Sequence, residues 1–166
     1  MLTEYEDAIL NFTFHRLTWG SSISSMEQQF PKRLEVTDGV NPSIGEKRYG
    51  VVVGDGADGA GFDFLDGKLY GIDVVYLAET VNKEIGSWGT ILDRLVDKFG
   101  PPDIRSKGDD TNDDDDLISS YFWRFEEVKK WIEILVLKQR VLVKFQDLAA
   151  LWERNERKHR VANVGF

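Results

Sequence analysis

Residues 62–65 and 68–77 both read as strands, and only Asp66-Gly67 separates them. A loop of two residues reverses the chain at once, so the flanking strands must be antiparallel neighbours. Asp-Gly suits such a loop because both central positions need positive φ. Further strand-like runs at 118–125, 131–137 and 141–145 are parted only by residues 126–130 and 138–140. Parallel neighbours need a crossover of a dozen or more residues, for which these gaps leave no room. Residues 34–36 and 49–53 complete about seven expected strands. The class expected is α+β with an antiparallel sheet.

Three helices are expected. In residues 22–30, Ile23, Met26 and Phe30 recur on one face, Ser21 or Ser22 can cap, and Pro31 stops the helix. A second helix places Trp88, Ile91, Leu92, Leu95 and Phe99 on one face and ends at Gly100-Pro101-Pro102. A third spans residues 147–160, with Asp147 as cap and a basic last turn that complements the helix dipole.

The first two helices repeat a pattern. Trp19-Gly20-Ser21 and Trp88-Gly89-Thr90 each precede a phenylalanine, Phe30 or Phe99, by the same eleven residues. Ile23 and Leu92 match at +4, Met26 and Leu95 at +7, and strands joined by tight turns follow each helix. The chain therefore reads as one compact domain of two similar halves, about 17–81 and 82–160. They are two tandem helix–antiparallel-sheet units sharing one core. A chain of 166 residues suits one domain and buries enough surface to need no disulfide or metal staple.

The repeated Trp-Gly-Ser/Thr helix and the run Phe62-Asp63-Phe64-Leu65-Asp66-Gly67-Lys68-Leu69 resemble the units of the SmpA/OmlA outer-membrane assembly lipoproteins. Beta-lactamase inhibitor proteins carry the same unit in tandem. The resemblance covers residues 17–146. It implies two such units side by side and a role in binding other proteins without catalysis. Those families are exported, whereas this chain shows neither a signal sequence nor a lipidation cysteine, and no functional residue carries over.

Composition removes much chemistry. With no cysteine there is no disulfide, thiolate metal site, iron–sulfur cluster or thiol nucleophile. The formal charge of −8 opposes general affinity for nucleic acid or an anionic membrane. Most of that charge is local. Asp109, Asp110, Asp113, Asp114, Asp115 and Asp116 lie within eight residues, and the rest of the chain is only −2. The N-terminus carries acids where a signal peptide needs bases, and no apolar run is long enough to span a bilayer. A cytoplasmic location is expected for the chain as it stands, and export if a leader has been trimmed.

Gly54-Asp55-Gly56-Ala57-Asp58-Gly59 matches G-x-G-x-x-G, but a dinucleotide site needs a helix to open there, and Gly61, Gly67 and Gly71 oppose one. Residues 109–116 fail the calcium-loop pattern, since Asp114 and Ser120 stand where Gly and Glu are required. They are expected to form a solvated loop. His15 and His159 have no metal spacing, and His15 is expected within a strand. No catalytic, cofactor-binding or metal-binding residue is assigned, and no enzyme is expected.

Tyr121, Trp123 and Phe125 share one face of a strand, with Phe122 and Arg124 on the other. The following strand sets Trp131, Glu133, Leu135 and Leu137 against Ile132, Ile134 and Val136. One sheet face must pack on helices. The opposite face is core if another half or a second copy covers it, and a binding surface if nothing does. The function expected is a non-enzymatic protein-binding module using an aromatic-rich sheet surface, with Tyr121, Trp123, Phe125 and Trp131 as candidates. The partner is an unidentified protein, or a second copy of the chain meeting it through the sheet face or edge. An alternative is a cytosolic inhibitor or immunity-type protein whose Asp113, Asp114, Asp115 and Asp116 meet a basic partner. A further alternative is an enzyme with an unrecognised carboxylate site.

Overall fold

In the computed structural model, residues 1–54, 56–107 and 117–164 are described. Asp66 and Gly67 take positive φ, 53° and 77°. They join β3 (Gly59–Leu65) to β4 (Lys68–Leu77), with Leu65 opposite Lys68. The other strands are β1 (Arg33–Val36), β2 (Glu46–Val52), β5 (Ile104–Lys107), β6 (Leu117–Phe125), β7 (Lys130–Leu137) and β8 (Arg140–Asp147). All eight form one antiparallel sheet in the order β1-β2-β3-β4-β8-β7-β6-β5. Each meander of four strands pairs only sequence neighbours, and β4 with β8 is the one pairing that joins them.

The described residues contain eight strands and five α-helices, against seven and three expected. The helices are α1 (Glu4–Leu10), α2 (Ile23–Gln29), α3 (Ala78–Thr80), α4 (Trp88–Phe99) and α5 (Leu148–Val164). α1 follows Thr3, whose side chain accepts from the Glu6 amide, and Glu4, Glu6 and Asp7 fill its first turn. Thr3 with Glu6 three residues on is a helix-start signal, and the acids suit the positive end of the helix dipole. α3 is one turn that runs on into a π-turn over Val81–Ile85. β5 has four residues, and pairing with β6 makes it a strand. Ser22 caps α2 by accepting from the Ser25 amide. Among the described residues no helix is long and apolar enough to cross a membrane.

His15 lies in a turn, not in the strand expected of it. His15 and Arg16 take φ of 48° and 67°, and Phe14 and Leu17 exchange both backbone hydrogen bonds across them. The Gly54–Gly59 segment joins β2 to β3, and a strand follows it where a dinucleotide site needs a helix.

The core lies between one sheet face and α1, α2 and α4. Phe12 stacks on Phe145 of β8 at 4.1 Å and meets Phe99 of α4 edge-on at 6.1 Å. Phe30, at the end of α2, packs against Phe62 of β3 at 5.4 Å. Trp123 of β6 is 1% exposed and donates its indole N–H to the Gly100 carbonyl at 2.7 Å, just past α4. The same face carries Ile132, Ile134 and Val136 of β7 and Val141, Val143 and Phe145 of β8.

Candidate functional site

The face turned away from α1, α2 and α4 is only partly covered. α5 crosses one end of it and is held there by arginines. Arg157 grips Asp66 with two bonds of 2.8 and 2.7 Å and donates to the Ile44 carbonyl at 2.9 Å. Arg154 pairs with Glu46, which is 4% exposed. Beyond α5 the face is built from alternate residues of every strand, as the two-residue period of a strand requires.

The open face carries five charges on five strands, in two adjacent cross-strand rows that Arg48 bridges. Arg48 of β2 stands opposite Asp63 of β3. Asp73 of β4 stands opposite Lys144 of β8, and Lys144 opposite Glu133 of β7. The row continues to Phe122 of β6 and Ile104 of β5. Arg48 donates through one nitrogen to both oxygens of Asp63 at 2.7 Å and through the other to Asp73 at 2.8 Å. Gly61 and Gly71 make room for this clamp. A Cβ at Gly61 would collide with the Arg48 guanidinium, and one at Gly71 would press within 3.1 Å of Asp63 Oδ2.

On one side of the charges runs a largely apolar row: Val52, Gly59, Val75, Leu142 and Leu135. Toward α5 the row of Arg48 and Asp63 continues through Gly71 and Gln146 to Trp131 and Arg124. Trp131 and Phe122 meet edge-on at 5.4 Å. Val52 is 84% exposed and Leu34 of β1 is 72% exposed. Gly50 leaves a bare floor beside Leu34 and Val36, bordered by the Arg48 guanidinium that lies over its partner Gly61. The trough over that floor has a volume of about 860 Å³.

Electrostatics follows from burial and pairing. Burial works against the charge on Arg48, but Asp63 and Asp73 outweigh it and raise its pKa. Burial pushes the Glu133 carboxyl above the usual range, although Lys144 and the Trp131 indole oppose the shift. Burial also raises the Tyr70 hydroxyl, with Asp63 adding to the effect, so the phenol stays protonated. Tyr70 reaches this face through the irregular β3–β4 register, where Asp63 pairs with Gly71 but Phe64 with Leu69. Between the charges and α5 lies a polar cavity of about 230 Å³. Its central carboxylates already bind Arg48, which suits a structural clamp better than acid–base chemistry. Among the described residues no three His, Asp or Glu side chains converge on a metal position.

The structure separates the residues singled out from the sequence. Tyr121, Trp123 and Phe125 lie on the helix-covered face. Tyr121 packs near Trp88 of α4, and Phe125 packs against the core. Trp131 alone of the four aromatics lies on the open face, half-buried. Asp113, Asp114, Asp115 and Asp116 lie outside the described residues. Missed were Arg48, Asp63, Asp73, Glu133 and Lys144. Their signal is a charge at an alternating position flanked by apolar residues, clearest at Asp63 between Phe62 and Phe64 and at Glu133 between Ile132 and Ile134.

No family model, curated protein sequence or solved structure matches the chain.

Proposed function

We propose that the protein is a non-enzymatic binding module that takes a protein partner on the open face of its sheet. One observation carries this reading: one face is covered by α1, α2 and α4, while the other presents Trp131, Phe122, Leu135, Leu142 and Val52 around a fixed row of charges. Apolar and aromatic groups supply affinity, and a rigid charge pattern supplies register and selectivity. The row holds two cations and three acids, so a partner complements it with a mixed surface and not with one sign.

The strand order also supports the reading of the chain as two tandem helix–sheet units, about 17–81 and 82–160. Two meanders run in opposite sequence order from the central β4–β8 seam, as expected for a duplicated unit joined through its last strands. A unit of this kind widens one sheet into a platform without adding a second core.

The test is capture from the native cell with the full chain as bait, repeated with Leu142→Asp and with Trp131→Ser. A partner retained by the parent chain and lost from both variants supports the reading. Retention by both variants overturns it. If the chain sediments as a dimer and Leu142→Asp makes it a monomer, a second copy is the occupant. The alternative reading, an inhibitor that uses residues 109–116, predicts a different result. Replacing Asp113, Asp114, Asp115 and Asp116 with Asn then slows association at low salt and leaves it unchanged at high salt.

A further inference from the structure

A cleft of about 200 Å³ opens on the helix-covered side, between α4, residues 12–14 and the sheet. It is independent of the open face. Phe12, Phe99 and Phe145 form its aromatic wall. Phe12 stacks on Phe145 at 4.1 Å, and Phe99 meets both rings edge-on at 6.1 Å. Ile91, Leu95, Val74 and Val143 add aliphatic surface. The polar groups in the lining are Tyr76, Arg94 and Lys98.

The two cations have the spacing of one helical turn, so they share a face of α4. Among the described residues neither has a carboxylate within ion-pair distance. The Lys98 ammonium instead lies over the Phe12 and Phe99 rings, at 5.6 and 5.5 Å from their centres. An apolar cleft edged by a phenol and by two cations that carry no ion pair among the described residues is complementary to a molecule with an apolar body and an anionic head.

Size narrows the class. The volume equals that of roughly seven liquid waters at ~30 Å³ each, which fits a six-membered ring with a short linker. The aromatic wall favours a ring, because edge-to-face and offset contacts add to simple burial. The chain also holds this wall at a cost. Phe12 and Phe14 precede the turn at His15 and Arg16, two non-glycine residues in the left-handed region.

We propose that this cleft binds a small aromatic monocarboxylate, its ring against Phe12, Phe99 and Phe145 and its carboxylate held by Arg94 and Lys98. The Tyr76 hydroxyl, which burial keeps protonated, is placed to donate to the same carboxylate. The binding is non-covalent and needs no other group.

Phenylacetate is the probe, titrated into the full-length chain and followed by calorimetry and by amide chemical shifts. The uncharged analogue 2-phenylethanol is the comparator. Saturable binding of phenylacetate is expected, tighter than that of the alcohol, with shifts centred on residues 12–14, 74–76 and 91–99. The double variant Arg94→Gln/Lys98→Gln changes only exposed side chains. It should weaken phenylacetate by about tenfold, the equivalent of ~1.4 kcal/mol, while leaving the alcohol unaffected. Absence of saturation at about 10 mM, where any useful site would be filled, overturns the proposal. So do equal affinities for acid and alcohol, or shifts centred on the open face. Hexanoate binding as tightly as phenylacetate would overturn the aromatic preference.

Discussion

The two faces of this sheet are made by the same strands, yet they solve opposite problems. On the covered face, Trp123, Ile132, Ile134, Val143, Phe145, Phe62 and Val74 meet helices and one another, and each is at most 4% exposed. Polar groups there are few and matched. Trp123 donates to Gly100, and Lys130 reaches the Val128 carbonyl at 3.1 Å and Asp147 at 3.7 Å. On the open face, large apolar groups stay half-buried beside a line of charges, and glycines replace side chains where the charges must lie flat. A covered face is limited by volume, so it excludes charge and fills space. An uncovered face is limited by solvation and pairing, so it holds its charges in a fixed pattern across strands.

This contrast can be broken or sharpened by substitution. The largest effect belongs to Trp123→Ala, which removes a buried indole and strands the Gly100 carbonyl. A loss of about 3–5 kcal/mol in urea unfolding is expected. A loss below 1 kcal/mol would place Trp123 outside the core.

Next comes Arg48→Leu, which leaves Asp63 and Asp73 without their cation. Because the clamp keeps some contact with water, the expected loss is about 2 kcal/mol, below the ~3–5 kcal/mol of a fully buried pair. The loss should shrink as pH falls from about 7 toward 5. Burial raises the folded pKa of Asp63, so without Arg48 the native state binds more protons there than the unfolded state, and acid favours it. A loss independent of pH would mean that packing, and not charge, holds the three strands. Asp63→Asn/Asp73→Asn in the Arg48→Leu background should recover most of the stability.

A smaller effect on stability attends Trp131→Ser and Phe122→Ser on the open face, within about 1 kcal/mol each. Trp131→Ser is also one of the two substitutions expected to abolish partner capture. A core-like loss at either position would remove the distinction between the faces.

Smallest is Glu133→Gln. Burial raises the folded pKa of Glu133 above the ordinary glutamate value of 4.5. Between those two values the native state holds a proton that the unfolded state has released. The parent chain therefore loses stability as pH rises through that window, and the variant does not. Loss of the Lys144 partnership opposes the gain, so a few tenths of a kcal/mol at neutral pH is expected. Unfolding curves at pH 4 and pH 7 for both chains measure it.

Much of the fold was legible because its signals are local. Asp66-Gly67 demands its turn whatever surrounds it, Pro31 and Gly100-Pro101 end helices, and Ser22 caps one. Thr3 and Glu6 carry an equally local helix-start signal, masked in the sequence by the acids around it. β5 had no such signal. Ile104-Arg105-Ser106-Lys107 has one apolar residue in four, and it is a strand because β6 offers it partners. His15 and Arg16 lack the glycine or asparagine that marks a left-handed turn, so the hairpin between Phe14 and Leu17 was invisible.

The sequence alone determined that the sheet is antiparallel, where its tightest turn falls, and, apart from the bulge at Tyr70, which side chains of each strand share a face. Those properties depend on turn chemistry and on a period of two, both contained in a few consecutive residues. It did not determine which face would be covered. Tyr121, Trp123 and Phe125 are as suited to a binding surface as to a core, and Phe122 and Trp131 are equally ambiguous. Only tertiary structure decided it, because a face becomes interior when α1 and α4 dock on it and compete for no other surface. The row from Arg48 to Glu133 is likewise a tertiary fact. Its five charges come from two distant parts of the chain; three strand pairings set charges opposite one another, and the Arg48 side chain spans the β3–β4 offset to Asp73.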